Sequence, residues 1–342
     1  LVCEGGRLVW DDYLEHRQYA LAQGVEQVLG WFAGWRELDS LADRPRWRRT
    51  AEALADRGVL VAENSPRHLR EQEIQQTWGR WGPHTRAYHF STRSHRDTPY
   101  LSMAEDGRRL ATKLREDPPV SAFLAFADAP VVRLPAADEA LIRHRDIVDV
   151  LRRRRSHRTF GRASVTLPVL ATLLGIAGRP IPHRDGRLAT ESQSVFKTSP
   201  SGGARHPTEI YLYPLRVEGL EPVLYHYSCH THCLENLQRT LSPDELILAV
   251  GDQDWVADAN LVLFYTSVLA RTAWKYDMGR VYRALMLDVG HLSQTVYLLA
   301  TALGLRTTFT AALRDELVER FLDRDPIREI VVGASVIGAG DP

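Results

Sequence analysis

Seven apolar residues, Val281, Leu285, Val289, Leu292, Val296, Leu299 and Leu303, advance by steps of four, four, three, four, three and four. That rhythm is one face of an α-helix buried along its whole length. Gly304 follows at once and supplies the stop. A helix spanning much of "DMGRVYRALMLDVGHLSQTVYLLATALGL" needs a broad apolar surface to lie on. The chain offers one in four strand-like runs: "EIYLYPLRV", "PVLYHYS", "ANLVLFYTSVL" and "EIVVGASVIG". From about Asp146 to the end, strands alternate with helices. The expected class is α+β, a sheet covered by long helices.

The first 65 residues read as a separate small unit. "LVCEGGRLVW" predicts a hairpin around Glu-Gly-Gly. "VEQVLGWFAGWREL" predicts a helix with Val25, Val28, Leu29 and Phe32 on one face. "RPRWRRTAEALADRG" predicts a second helix, with proline near its start and Gly58 at its end. "VLVAEN" then reads as a strand, completing the outline of a winged helix. Residues 66–145 hold helical stretches, the aromatic segment "TWGRWGPHTRAYHFSTR" and the loop "REDPPV". They are read as a helical connecting region, and 146–342 as the main domain.

Lys+Arg and Asp+Glu both number 43, so the formal net charge is zero. That speaks against a nucleic-acid partner, although a winged helix and the arginines of "RPRWRR" alone would permit one. No apolar run is long enough to span a bilayer. The start lacks the basic and apolar regions of a secretory signal, and there are only three cysteines, Cys3, Cys229 and Cys233. A cytoplasmic protein without a disulfide framework is expected. "CHTHC", Cys229 to Cys233, has thiols and imidazoles that could ligate zinc or iron. Its spacing is not that of the usual structural zinc sites, so no metal is assigned and the residues are read as a loop at a strand end.

Two segments carry chemistry. In "LRRRRSHRTFGR", Leu151 to Arg162, six of twelve residues are arginine and surround Ser156. Guanidinium groups with one hydroxyl suit a phosphate or a ribityl chain. About 40 residues on, "KTSPSGGARHPTEIYLYPL" places two glycines just before a strand. Glycines there let the backbone approach a partner with no Cβ in the way. The turn is neither a P-loop nor a dinucleotide fingerprint.

Together these residues resemble the flavin-dependent nitroreductase superfamily. Arg154-Arg155-Ser156-His157-Arg158 is similar to its Arg-Arg-Ser-x-Arg opening, and Pro200-Ser201-Gly202-Gly203-Ala204 to its Pro-Ser turn beneath the flavin. The form Gly202 to Pro207 resembles one branch, the SagB/McbC-type azoline dehydrogenases of peptide-modifying clusters. "WKYDMGRVYRALMLDVGHLSQ" looks like that branch's Lys-Tyr motif and its Gly-His-x-x-Gln helix. "VLYHYSCHTHCLENL" looks like its Leu-Tyr-His-Tyr strand followed by a helix start, and "TWGRWGPHTRAYHFSTR" like its lead-in segment. The similarity runs over roughly residues 75–342 and is sharpest from 152 to 305.

The resemblance implies a nitroreductase-like FMN-binding fold, a central mixed sheet flanked by long helices, and a homodimer with flavin at the interface. FMN is implied rather than FAD, since no adenine-binding fingerprint is visible. Arg154, Arg155, Ser156 and Arg158 would hold its phosphate. Pro200, Ser201, Gly202 and Gly203 would lie against the ring, with His291 nearby and His206 within reach of flavin or substrate. His291 itself is expected to be a buried, hydrogen-bonded histidine. Because nothing follows "EIVVGASVIGAGDP" in this sequence, the family's late phosphate contact is expected to pass to the early arginines. Lys275 and Tyr276 would be the catalytic pair, either one taking the proton, the ammonium favouring a phenolate beside it. The implied function is oxidation of thiazoline or oxazoline rings to thiazole or oxazole during maturation of a ribosomal peptide. The N-terminal unit would hold the precursor peptide or a partner such as a cyclodehydratase. Two alternatives are an NAD(P)H-dependent flavin reductase of the same fold and a flavin-less scaffold.

Overall fold

The computed structural model describes residues 2–94, 96, 98–142, 145–182 and 194–340. The chain forms two compact units, Leu1–Pro99 and Tyr100–Pro342.

The first unit opens with the expected hairpin. Strands β1 (Val2–Glu4) and β2 (Arg7–Asp12) pair antiparallel around Gly5 and Gly6, at φ 55° and 75°. Two successive positive φ values suit the tight turn that the strand twist favours. A third strand, β3 (Arg17–Ala20), pairs antiparallel with β2. Helices α1 (Val25–Trp31), α2 (Pro45–Asp56), α3 (Pro66–Trp78) and α4 (Gly82–Ser91) follow. Val28, Leu41, Ala51, Leu54 and Val59 form the core. The strand expected over "VLVAEN" is not formed. The N–H groups of Val59 and Leu60 bond to Leu54 O at 2.8 and 3.2 Å, so this run ends α2 and buries Val59 against it. The helix expected over "VEQVLGWFAGWREL" stops at Trp31.

The second unit contains α5 (Met103–Glu116), β4 (Val131–Arg133), α6 (Ile147–Arg153), α7 (Leu167–Gly178), β5 (Thr208–Pro214), β6 (Tyr225–Ser228) and β7 (Cys233–Asn236). It continues with α8 (Pro243–Ala249), β8 (Leu261–Val268), α9 (Leu269–Lys275), α10 (Tyr282–Ala302), β9 (Leu305–Thr310), α11 (Asp315–Leu322) and β10 (Glu329–Ala339). Its seven strands lie in the order β4-β7-β6-β5-β8-β10-β9. A mixed sheet was the expectation. Every strand pair among the described residues is instead antiparallel. Parallel pairing is confined to the isolated bridges Ser156–Thr307 and Val165–Val217.

Alternation along β5 explains the layers. Ile210 and Leu212 face one core with α7 and α10, while Tyr211 and Tyr213 face another with α8 and α11. The apolar face of α10 is as predicted: Leu285, Val289, Leu292, Val296 and Leu299 are all buried. Burying each such side chain contributes on the order of 1.5–3 kcal/mol, so this face fixes α10 across the sheet. The helix start expected at "HCLEN" is instead β7, which pairs with β6 in a hairpin closed by Cys229 to His232. None of the described helices is long and apolar enough to cross a membrane.

Candidate active site

The turn Pro200–Ala204 is held by α10. Asp288 accepts the Ser201 hydroxyl at 2.6 Å and the Gly202 N–H at 3.0 Å, and the His206 N–H donates to Ser201 Oγ at 2.9 Å. Burial pushes the Asp288 carboxyl up, against the pull of those two donors. One turn of α10 onward, His291 Nδ1 lies 3.3 Å from Pro200 O. His291 is exposed rather than buried as expected, because it sits on the solvent side of α10. Ser199 Oγ meets Thr295 Oγ1 at 2.7 Å, a further turn along.

Lys275 and Tyr276 close on this turn from the opposite side, at the C-terminal end of α9. Lys275 Nζ lies 3.4 Å from Gly203 O. Gly203 has φ 64°, and a Cβ there would come within 2.6 Å of the Tyr276 hydroxyl and 2.8 Å of Lys275 Cδ. Its missing side chain therefore makes room for the Lys-Tyr pair. Arg109 of α5 donates to Lys275 O at 2.9 Å and pairs with Asp106. Lys275 Nζ lies over the Tyr276 ring, 5.6 Å from its centroid. Burial and the Asp106 carboxylate raise the Tyr276 phenol above its ordinary pKa, although Arg109 opposes them. A raised phenol favours the protonated form, where the sequence leaves the choice of base between Lys275 and Tyr276 open.

The arginine segment meets the other end of α10. Ser156 Oγ lies 2.9 Å from the Tyr297 hydroxyl, which accepts the Phe309 N–H at 2.7 Å. Arg154 stacks on the Tyr297 ring at 5.3 Å. His157 N–H donates to Thr307 O at 3.0 Å, placing the segment beside β9. The His157 imidazole is pushed down by burial and by the charges of Arg306, Arg154 and Arg155. Positive potential therefore accumulates here, with a hydroxyl at its centre, and this donor set fits a phosphate monoester. Arg155 differs from Arg154, since its guanidinium turns back to Arg152 O and Arg154 O at 2.7 and 2.8 Å. Arg158 is exposed two residues beyond Ser156.

Asp288, Tyr297 and Arg306 belong to this site and were not singled out from sequence. Nor was one compositional signal: only three of the chain's 43 Lys and Arg residues are lysine, Lys113, Lys197 and Lys275. Two of the three flank the turn. Lys197 donates to Cys229 Sγ at 3.6 Å and lines a cavity beneath the turn with His206, Glu209, Cys229 and Asp288. Burial, then the Lys197 charge, brings the His206 imidazole down to about 3, so it is neutral. Cys233 pairs with Thr231 Oγ1 at 2.9 Å on the hairpin.

Residues 151–339 match the nitroreductase family model. A candidate nitroreductase of Methanocaldococcus jannaschii is 32% identical over 58% of this chain and 91% of its own length. The trifolitoxin-processing protein TfxB of Rhizobium leguminosarum bv. trifolii is 30% identical over 42% of this chain and 40% of its own. The microcin B17-processing protein McbC of Escherichia coli is 29% identical over 39% of this chain and 50% of its own. The chain thus spans half or less of the two peptide-processing proteins. A candidate nitroreductase structure from Anabaena variabilis superposes with a TM-score of 0.53 at 22% identity, covering 74% of this chain and 45% of that one.

Proposed function

The chain belongs to the nitroreductase family, and from that premise we propose that it is an FMN-dependent dehydrogenase which oxidises thiazoline or oxazoline rings in a ribosomal peptide. The observation that carries the reading is the packing of Lys275 and Tyr276 against the Gly203 turn, a proton-handling pair at the turn expected to face the flavin. Similarity to two peptide-processing proteins supports the substrate class.

Aromatising an azoline removes a hydride and a proton. FMN, when bound, supplies the hydride acceptor. Arg154, Ser156 and Arg306 would hold its phosphate, and the Pro200–Gly203 backbone, fixed by Asp288, would meet its ring. The proton falls to Lys275. Tyr276 is held in its protonated form and positions the amine. In a chain that writes nearly all its cations as arginine, lysine here supplies a base that arginine cannot, because guanidinium does not give up its proton.

The N-terminal unit fits a peptide-holding role. β3 pairs with β2 on one edge and has no strand partner on the other among the described residues. A groove runs between β3 and α2, lined by Tyr19, Ala20, Arg46, Arg49 and Arg57. An extended peptide adding to β3 would lie beside three guanidinium groups, so an acidic segment fits best. A cyclodehydratase delivering the azoline is the corresponding enzyme partner, and the flavin unit would act as a homodimer.

The test is an absorption spectrum of the purified protein, identification of released cofactor by mass, and incubation with a synthetic thiazoline-containing peptide. Flavin bands, released FMN and a mass loss of two hydrogens are expected. A protein that stays colourless after FMN is added contradicts the reading.

A further inference from the structure

Four buried ionisable side chains form a line that ends on α9, and the chemistry above uses none of them. Glu235 Oε2 lies 2.8 Å from His226 Nδ1. His226 Nε2 lies 3.2 Å from Glu209 Oε2, and Glu209 Oε1 pairs with Arg271 Nη2 at 2.5 Å. His226 is fully buried, and Glu209 and Arg271 are 4% and 2% exposed. Burial opposes ionisation of Glu209, yet Arg271 and His226 hold its carboxyl at about 2. Burial likewise opposes the His226 cation, which the two carboxylates favour.

Buried ion pairs are poor sources of stability, since desolvation offsets most of the attraction. What this pair does is geometric. The Arg271 guanidinium also donates to Ser121 O at 2.9 Å and to His206 O at 3.2 Å, while Arg205 Nε donates to Arg271 O at 3.1 Å. Arg271 and Lys275 are four residues apart on α9, hence on one face. One reaches the carbonyl at the far end of the glycine turn, His206 O, and the other reaches the near one, Gly203 O. The helix is thereby fastened to the turn at two points, and Glu209 fixes the first.

We propose that Glu209 is a positioning residue for the Lys275–Tyr276 pair, acting through Arg271 and braced by His226 and Glu235. The proposal rests on the reading of Lys275 as the base. Removing the Glu209 charge leaves Arg271 buried without its partner, and α9 shifts against the turn. A displacement of about 1 Å at a reacting group costs on the order of a hundredfold in rate.

The experiment compares holoenzyme carrying Glu209→Gln, Lys275→Ala, or both. It reads turnover of the thiazoline peptide and, separately, the reactivity of each lysine toward trace acetic anhydride by peptide mass spectrometry. With three lysines in the chain, each is resolved, and an added lysine-containing peptide is the reference. Glu209→Gln is expected to lower kcat by about a hundredfold with KM little changed. It is also expected to change Lys275 labelling severalfold relative to that reference peptide, and the double variant should be no slower than Lys275→Ala alone. Unchanged Lys275 labelling, with losses that multiply in the double variant, overturns the proposal. Normal turnover by Lys275→Ala would instead sink the assignment of the base, and the labelling would still decide whether Glu209 sets the position of Lys275. Should Glu209→Gln fail to fold, Arg271→Lys replaces it, keeping the charge but losing the fork. Lys275 labelling and kcat that match the parent in that variant overturn the proposal equally.

Discussion

The Tyr276 hydroxyl occupies the space where a side chain on Gly203 would begin, 2.6 Å from the position of its Cβ. Sequence alone suggested that the glycine pair bares the backbone for a flat ligand. The structure adds a second reason, since Gly203 admits the two residues proposed to handle the proton. Gly203→Ala therefore meets both a left-handed backbone at φ 64° and a clash. A loss of roughly 1–3 kcal/mol is expected from strain of this kind, with Tyr276 driven off the turn. Thermal unfolding and turnover of the purified variant check this. A variant as stable and as fast as the parent would show that the pair does not need this approach.

Three substitutions separate the roles at the pair. Lys275→Ala with Tyr276→Phe should keep its flavin and lose turnover by about 10²–10⁴-fold, the range for a missing general base. Lys275→Arg stays protonated and cannot accept a proton, so it should be nearly as slow as Lys275→Ala. Tyr276→Phe alone should be the fastest of the set, because the phenol is held protonated. A Tyr276→Phe enzyme slower than Lys275→Arg would move the base to the phenol.

Sequence made some of this legible and hid the rest for physical reasons. The periodicity of α10 was visible because one side of it is buried by local repetition, and β5, β6, β8 and β10 because each is rich in aromatic or branched apolar residues. β9 was missed because Thr307 and Thr308 are buried polar residues that look solvent-facing in sequence. β7 was missed because Glu235 reads as a surface charge, while its carboxylate is bound to buried His226. The apolar run at Val59 was misread because packing against α2 satisfies it as well as a sheet would. Of the candidate site, the glycine turn and the Lys-Tyr pair, each a compact motif, are brought together by the fold. Asp288, Tyr297 and Arg306 contribute through contacts between segments far apart in sequence, which no local pattern encodes.

The proposed phosphate end of the site presents its arginines unequally. Arg154 lies along Tyr297, and Arg306 adds its charge beside His157, while Arg155 is turned to its own helix end. Hydrogen bonds to charged groups contribute about 1.5–3 kcal/mol each. Arg154→Ala and Arg306→Ala should each weaken FMN binding by roughly one to two orders of magnitude, and Arg155→Ala by less. Titration of flavin fluorescence against apoprotein measures the three. Equal losses at Arg154 and Arg155 would mean that Arg155 leaves its helix to reach the ligand.

His206 predicts a pH dependence of stability. Its ordinary pKa of 6.5 falls to about 3 in the folded chain, from burial first and then the Lys197 charge. Between those values the unfolded chain binds more protons, so the contribution is complete above 6.5 and is lost as pH falls toward 3. Glu209, lowered from 4.5 to about 2, adds loss over that lower interval, and Asp288, pushed up, opposes part of it. His206→Asn keeps a residue that tolerates the observed φ of 42° but has no titrating ring. Its urea midpoint should fall less steeply than the parent's between pH 6.5 and pH 3. Parallel slopes in the two proteins would place the titration elsewhere.

The proposed homodimer points to exposed apolar residues on α6 and α10 as a place where two copies could meet. Ile147, Val148 and Leu151 of α6 are 59%, 46% and 50% exposed, and Leu287 of α10 is 62% exposed. Single exposed apolar residues are ordinary, whereas three on one short helix make α6 a candidate contact surface. His291, on the same solvent side of α10, bonds the turn carbonyl, so an interface here would also border the site. In the proposed homodimer a second copy would cover it about a two-fold axis. Sedimentation of the parent should give a dimer, and Leu287→Glu should sediment as a monomer with weakened FMN binding. If Leu287→Glu remains dimeric with unchanged flavin affinity, the subunits meet through another surface and the site is complete within one chain.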